Sequence, residues 1–276
     1  MSALAMPLCS LTVAYQPIFD LHTGRVFGHE ALGRVRDGAL GPAALLDIAH
    51  RDGSLLDLDR AWRRLAIAGA AREVRRSDAR LFLNVDSRAL DDPAFRAGFT
   101  LAAAQEAGVS PERIVLEITE RSPGLSMDRV AAVVAHYAEQ GFAVALDDVG
   151  SGYASLTAVL RLRPSVIKLD GELVHGIAAD RLRRHLVAAL VGFAERSDIT
   201  LVAEGIETRE DLRAVTRAGV RLGQGWLLQP PMPAPMPGPI DLAFLLSPAA
   251  PTPPARVLPA AAEILLQEAR ACWRES

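Results

Sequence analysis

Eight polar residues stand at or just beyond the ends of short apolar runs in this chain. They comprise five carboxylates, two amides and one lysine, with no cysteine or histidine among them. Hard oxygen ligands of this kind favour Mg²⁺ or Mn²⁺ over zinc. Gathered in one cleft, the carboxylates would repel each other, by an energy on the order of several kcal/mol, unless cations balanced them. The eight residues are Glu30, Asn84, Glu117, Asp147, Asp148, Lys168, Glu204 and Gln224.

Lys168 is the only lysine among 30 basic residues, all the others being arginine. An ammonium group is a compact point charge, whereas a guanidinium is a wide planar fork, so a narrow site beside a small anion would explain the exception. A neutral survivor of codon bias is the alternative. A Schiff-base lysine, as in an aldolase, needs a lowered pKa, and carboxylate neighbours raise the pKa of a lysine instead.

Asp147 and Asp148 are adjacent carboxylates at the end of an apolar run. Successive side chains of a strand point to opposite faces, but a turn of the backbone at the strand end would let both reach one site. One of them could then bridge two ions roughly 4 Å apart. Such a pair favours in-line attack of water on a phosphodiester, since one ion activates the water and the other steadies the leaving oxygen.

Short β-branched runs alternate with stretches of helical periodicity, such as residues 127–141. This alternation predicts an α/β fold, a (β/α)8 TIM-like barrel whose active site lies at the carboxyl ends of the strands. The turn at 20–25 is too short for a crossover helix, so the first strand is expected to be antiparallel. The predicted strands are 12–19, 25–32, 80–85, 113–119, 142–148, 165–169, 199–205 and 221–227.

Composition narrows the functional class. The formal net charge of −3 argues against binding of duplex DNA or RNA, which needs a positive surface. Two distant cysteines, the lack of a signal peptide and the lack of a long apolar span predict a soluble cytoplasmic protein without a membrane segment.

We expect an N-terminal extension at 1–11, a barrel at 12–239 and a proline-rich extension at 240–276 with a short helix near 260–273.

The motifs resemble those of the EAL-domain family of cyclic di-GMP phosphodiesterases, from about residue 15 to residue 231. They are "YQPIFD", "GHEALGR", "LNVDS", "LEITE", "LDDVGSGYASL", "VIKLD", "AEGIE" and "QGWLLQPP". The resemblance implies an enzyme of bacterial second-messenger signalling. It would hold two divalent ions, hydrolyse cyclic di-GMP to linear 5′-pGpG and form a homodimer.

The resemblance also implies roles for single residues. Glu30, Asn84, Glu117 and Asp147 resemble the ligands of a first metal, and Asp147 with Asp148 those of a second. Lys168 and Glu204 resemble the catalytic groups at the water shell, Glu204 being a candidate general base. Substrate contacts would come from Gln16, Leu32, Arg34 and Gln224, and support of the aspartate loop from Glu207, Gly150 and Gly152. Val149, Ala154 and Gln229 depart from the family pattern and affect the expected packing of loops.

Two further functions stay open at this point. A catalytically weak sensor would bind cyclic di-GMP without cleaving it, and such proteins usually lack a metal ligand. A protein-interaction module would use the barrel surface and the proline-rich tail. For the enzyme, Ca²⁺ is expected to inhibit because it prefers a larger and looser coordination sphere than Mg²⁺.

Overall fold

A computed structural model describes residues 10–36, 38, 40–92, 95, 98–118, 126–150, 156–235 and 238–247. Eight strands close into a barrel in sequence order. The strands are β1 (Leu11–Asp20), β2 (Val26–Val35), β3 (Arg80–Val85), β4 (Ile114–Ile118), β5 (Ala143–Val149), β6 (Val166–Leu169), β7 (Thr200–Ala203) and β8 (Leu222–Gly223). The predicted (β/α)8 barrel is therefore confirmed.

Helices follow the strands around the outside of the barrel. They are α1 (Pro42–Arg51), α2 (Leu55–Arg76), α3 (Gly98–Glu106), α4 (Met127–Glu139), α5 (Leu156–Leu162), α6 (Gly171–Val174), α7 (Arg181–Arg196) and α8 (Arg209–Arg217). A further short helix, α9 (Leu242–Leu246), comes later in the chain. None of the described helices combines the length and the apolar character needed to cross a membrane.

Strand β1 is antiparallel to both of its neighbours, β2 and β8, and the other neighbouring strands pair in parallel. The turn at 20–25 explains this, because it connects β1 to β2 without a helix. Asp20 accepts hydrogen bonds from the amides of His22 and Thr23, and Gly24 adopts a φ of 70°. The antiparallel first strand expected from the sequence is confirmed.

An apolar layer fills the barrel interior, and the polar site lies two positions further along several of the same strands. Because side chains of a strand alternate between faces, residues two apart share the interior. Phe82, Val115 and Val166 thus stand two positions before Asn84, Glu117 and Lys168. The buried layer is Ile18, Phe82, Val115, Ala145, Val166, Val202 and Leu222.

Strands β7 and β8 are shorter than predicted. Residues beyond Ala203 and Gly223 continue as hydrogen-bonded loop rather than as strand. The amide of Gln224 donates to the carbonyl of Ala203 at 2.9 Å, and the amide of Ile206 donates to the carbonyl of Gln224 at 3.1 Å. The polar residues that were expected at these strand ends therefore lie on short, tied loops.

The chain divides into two compact units, Met1–Leu242 and Ala243–Ser276. The boundaries at residues 12, 239 and 240 stay predictions. The helix expected near 260–273 lies outside the described residues, as do residues 1–9 of the N-terminal extension.

Gly225 offers a test of the packing beside the site. A Cβ atom at this position would lie within 2.6 Å of the carbonyl carbon of Ile206, which is backbone and has little room to move. Gly225→Ala is therefore expected to lower the free energy of unfolding by about 1–3 kcal/mol. Gly98→Ala in α3 is the matched control, because nothing lies within 4 Å of its Cβ position. The measurement is urea unfolding followed by circular dichroism. Equal unfolding midpoints for the two variants would contradict the close packing at Gly225.

Candidate active site

Lys168 lies at the centre of the barrel mouth, and its side chain is 1% exposed. Its Nζ is 2.7 Å from Glu117 Oε1 and 2.8 Å from Glu204 Oε1. It is also 3.3 Å from both Glu30 Oε2 and Asp147 Oδ1. Four carboxylates from four strands or strand ends thus meet one ammonium group, and the expected convergence of these residues is present.

Glu30 is held by two amide side chains that contact its two carboxylate oxygens. Asn84 Nδ2 donates to Oε1 at 3.1 Å, and Gln224 Nε2 donates to Oε2 at 2.6 Å. Burial would raise the pKa of Glu30, but the charge of Lys168 and the two amide hydrogen bonds outweigh it and lower the pKa. Glu30 is therefore held as a carboxylate.

Glu117 and Glu204 behave differently, although they contact the same ammonium. Burial raises the pKa of Glu117 well above 4.5, the charge of Glu30 adds to this, and Lys168 only partly opposes it. Burial likewise raises the pKa of Glu204 well above 4.5, against the charge of Lys168. Since one ammonium cannot neutralise four carboxylates, part of the cluster retains protons above the ordinary carboxyl range.

Lys168 keeps its proton despite its burial. Desolvation alone would lower the pKa of a buried lysine, but the surrounding carboxylates raise it well above 10.5. Among these carboxylates, Asp147 raises the pKa of Lys168 most, followed by Glu117. A Schiff-base lysine needs the opposite shift, so the aldolase alternative does not fit this site.

Asp148 reaches the same mouth as Asp147 through an unusual backbone conformation. Its φ is 59°, a left-handed value that non-glycine residues seldom adopt. Its amide donates to Asp147 Oδ1 at 3.0 Å, and the pairing of β5 with β6 is irregular between Leu146 and Val149. Ligand atoms of Asp147, Asp148 and Glu204 lie within 4.8 Å of one another, which suits a metal ion.

The residues present fit a hard divalent cation. All the candidate ligand atoms are oxygens, as Mg²⁺ and Mn²⁺ prefer. Glu117 Oε2 is buried and has no hydrogen-bond donor among the described residues. A buried carboxyl oxygen left without a donor in a crowded acidic cluster is the kind of group that a cation satisfies.

The substrate-side predictions divide between two places. Leu32 and Arg34 line a cavity of about 440 Å³ between the ends of β2 and β3 and the helices α1 and α2. Gln16 and Gln224 lie inside the barrel instead, both buried. Gln16 Nε2 donates to the carbonyl of Gln229 at 3.3 Å. Gln224 donates to Glu30, and its expected contact with substrate stays a prediction.

The cavity includes residues that the sequence did not single out. Trp62 lies over Gly33, where a Cβ would come within 2.6 Å of the indole ring, and its Nε1 is 3.4 Å from the carbonyl of Arg34. Arg88 pairs with Asp86 and Asp47, each at 2.7 Å. No short motif marks these residues, since they come from separate helices and loops.

A larger crevice of about 610 Å³ lies near the amino ends of β3 and β4, away from the acidic cluster. Arg75 and Arg113 line it. Both donate to main-chain carbonyls, Arg75 to Ala107 and Arg113 to Ser77 and Ala79. The crevice is larger than the cavity lined by Leu32 and Arg34, but its two arginines hold neighbouring loops together.

The expected loop support is only partly described. Gly150 has a φ of 109°, and a Cβ there would collide with the side chain of Leu173. Glu207 is exposed. Gly152 and Ala154 lie outside the described residues, so the support that we expected from Glu207 and Gly152 stays a prediction.

The sequence matches the EAL domain family over residues 3–231. A curated relative from Pseudomonas aeruginosa, named cyclic di-GMP phosphodiesterase PA2567, is 32% identical over 225 residues. That alignment covers 80% of this chain but 38% of PA2567. The chain therefore spans less than half the length of this relative.

Two solved structures are similar in fold and in sequence. The first is BlrP1 of Klebsiella pneumoniae in a calcium/cy-diGMP complex, with a TM-score of 0.74 and 29% identity, covering 81% of this chain and 56% of that one. The second is a standalone EAL protein of Vibrio cholerae O395 in its c-di-GMP-bound form. Its TM-score is 0.72 at 27% identity, covering 84% of this chain and 97% of that one.

Proposed function

Because this chain belongs to the EAL domain family, we propose that it is a metal-dependent phosphodiesterase that hydrolyses cyclic di-GMP to linear 5′-pGpG. The observation that carries the proposal is the cluster of carboxylates around Lys168, to which β2, β4, β5 and the loop after β7 contribute. Such a cluster needs cations, and its oxygen ligands match those used for phosphoryl chemistry.

We propose that two ions, Mg²⁺ or Mn²⁺, bind at the mouth. Glu30, Asn84, Glu117 and Asp147 would hold one, and Asp147 with Asp148 the other. Glu204 also lies close enough to the two aspartates to take part. When bound, such ions supply Lewis acidity, which favours deprotonation of water and neutralises charge on a phosphate.

Lys168 and Glu204 are the proposed catalytic groups of the chain itself. Glu204 contacts Lys168 and lies close to Asp147 and Asp148, which places it to act as a general base that takes a proton from the attacking water. The ammonium of Lys168, 2.8 Å away, would offset negative charge that grows on the phosphate. Arg34 and Leu32 would contact substrate in the adjoining cavity, whose apolar wall includes Trp62.

The test is incubation of the purified protein with cyclic di-GMP and either Mg²⁺ or Mn²⁺, followed by chromatography of the nucleotides. Linear pGpG is the expected product, and EDTA is expected to prevent its formation. Ca²⁺ in place of the other ions is expected to inhibit. Tight binding of cyclic di-GMP without a product would identify a sensor, and the absence of both would contradict the proposal.

Stabilisation by a divalent ion is expected to grow as the pH rises above about 4.5, the ordinary pKa of a glutamate. The raised pKa values of Glu117 and Glu204 stabilise the ion-free protein below about pH 4.5, and that contribution is lost as the pH rises through the folded values. An ion must displace the same protons, so it binds better at higher pH.

The measurement is the melting temperature in MnCl₂ minus that in EDTA at each pH. Glu117→Gln is the matched variant, because it removes one titrating carboxyl group and should flatten the dependence. A difference in melting temperature that is independent of pH in the wild-type protein would contradict the assignment of these residues as ligands.

A homodimer and a cytoplasmic location are further proposals. Leu160 on α5 and Leu182 on α7 are 69% and 77% exposed. These helices follow neighbouring strands, β5 and β6, and an apolar patch that joined the two leucines would form a contact surface. Light scattering in solution measures the dimer directly.

A further inference from the structure

Asp211 is a buried acidic residue that lies outside the group around Lys168. It is 4% exposed and stands in the first turn of α8. Its Oδ1 accepts a hydrogen bond from the amide of Ala178 at 3.1 Å, and its Oδ2 accepts one from the amide of Gly176 at 3.2 Å. Its Oδ2 also accepts the hydroxyl of Thr208 at 2.8 Å. The carboxylate therefore joins two different connections of the barrel.

Local capping of α8 does not account for this arrangement. Thr208 is the N-cap residue, and its Oγ1 accepts from the amide of Asp211 at 3.1 Å. The spacing Thr-x-x-Asp is that of a capping box, in which the acid returns to the amide of the N-cap residue. Here the carboxylate instead binds amides more than 30 residues earlier in the chain.

Each of the two connections begins next to a proposed catalytic group. Residues 170–180 follow β6, which carries Lys168, and residues 204–208 follow β7 and begin with Glu204. The Nζ of Lys168 and the Oε1 of Glu204 are 2.8 Å apart. The relative position of the two connections therefore decides how these two side chains meet.

A second contact between the connections lies at Gly205. Its φ is 65°. A Cβ there would come 2.9 Å from His175 Nε2 and 3.2 Å from the Cα of Gly171. Close packing at Gly205 sets the separation of the two loops, but packing alone does not prevent them from sliding. Directional hydrogen bonds to a single carboxylate do prevent it.

We propose that Asp211 is a positioning residue for the hydrolysis reaction. By binding the amides of Gly176 and Ala178 it holds the loop of Glu204 in place against the segment that follows Lys168. This inference rests on the proposed function. It assigns to Asp211 no contact with substrate, and its effect is on the geometry of the two catalytic side chains.

The test compares Asp211→Ala with a matched control, Asp180→Ala. Asp180 also accepts two backbone amides, those of Leu182 at 2.8 Å and Arg183 at 3.1 Å, but it caps α7 and joins no second loop. We expect Asp211→Ala to lower kcat by about 10²-fold with KM unchanged, as small misplacements of catalytic groups do. Asp180→Ala is expected to keep the wild-type kcat.

Asp211→Asn is the conservative variant. Its side-chain oxygen still accepts the amide of Ala178, but its NH₂ group replaces the oxygen that accepts the amide of Gly176, so it should recover only part of the lost kcat. All values of kcat are divided by the fraction of folded protein, measured by circular dichroism at the assay temperature. Simple destabilisation is thereby separated from misplacement.

Hydrogen exchange provides a readout that needs no activity. The amides of Gly176 and Ala178 should lose protection in Asp211→Ala and keep it in Asp180→Ala. Loss of that protection with an unchanged kcat per folded molecule would overturn the positioning role. A rise in KM with an unchanged kcat would overturn it as well. An inactive wild-type protein whose two amides are protected would instead overturn the proposed function.

Discussion

The Glu30→Ala protein is expected to lose turnover by about 10³-fold or more under saturating substrate and Mn²⁺. Glu30 is a proposed metal ligand, and three donors meet its carboxylate: Asn84, Gln224 and Lys168. Its removal takes away an anionic ligand, leaves two amides without this acceptor and removes one of the four carboxylates around Lys168. The rate of appearance of linear pGpG, measured by chromatography, checks this.

Two variants accompany this measurement. Glu30→Gln keeps the volume but places an NH₂ group among the donors around it, so it should lose nearly as much activity as the alanine variant. Glu139→Ala removes an exposed carboxylate from the end of α4 and should have no effect. A wild-type rate in Glu30→Ala would show that the site has been assigned to the wrong residues.

Replacement of the single lysine has the second largest expected effect. Lys168→Arg retains the positive charge, yet we expect kcat to fall by about 10²-fold. The ammonium touches four carboxylates within 2.7–3.3 Å in a site where only 1% of its surface is exposed. A guanidinium cannot enter this space without displacing at least one of the carboxylates.

Arg217→Lys is the control in the opposite direction. Arg217 is exposed in the last turn of α8, where either cation suits the helix dipole, so kcat should not change. If Lys168→Arg also kept the wild-type kcat, codon bias would be sufficient to explain why the chain has one lysine. Circular dichroism of both proteins shows whether the fold is intact.

Most of the barrel could be predicted from periodicity. The runs that contain Glu117 and Lys168 were predicted as strands, and the structure places these side chains two positions after the buried Val115 and Val166. The turn at 20–25 predicted the antiparallel first strand because it is too short to contain a crossover helix. These features depend on residues that are close together in the sequence, so local patterns are sufficient to predict them.

The ends of β7 and β8 could not be predicted in the same way. Apolar residues continue past Ala203 and Gly223, but loop-to-loop hydrogen bonds such as that from Ile206 to Gln224 decide where the strands stop. The contact that Gln224 makes could not be predicted for a similar reason. Its contact with Glu30 joins residues 194 positions apart, and no local pattern specifies such a partner.

By itself, the sequence determined which chemical groups face the barrel mouth, because strand alternation and the order of strands follow from local periodicity. The tertiary structure decided which of them touch: the amides on Glu30, the left-handed turn at Asp148 and the reach of Asp211 to a separate loop. Those contacts depend on closure of the barrel, which brings together groups that the chain keeps far apart. Their distances and pKa shifts arise only in that closed, water-poor interior.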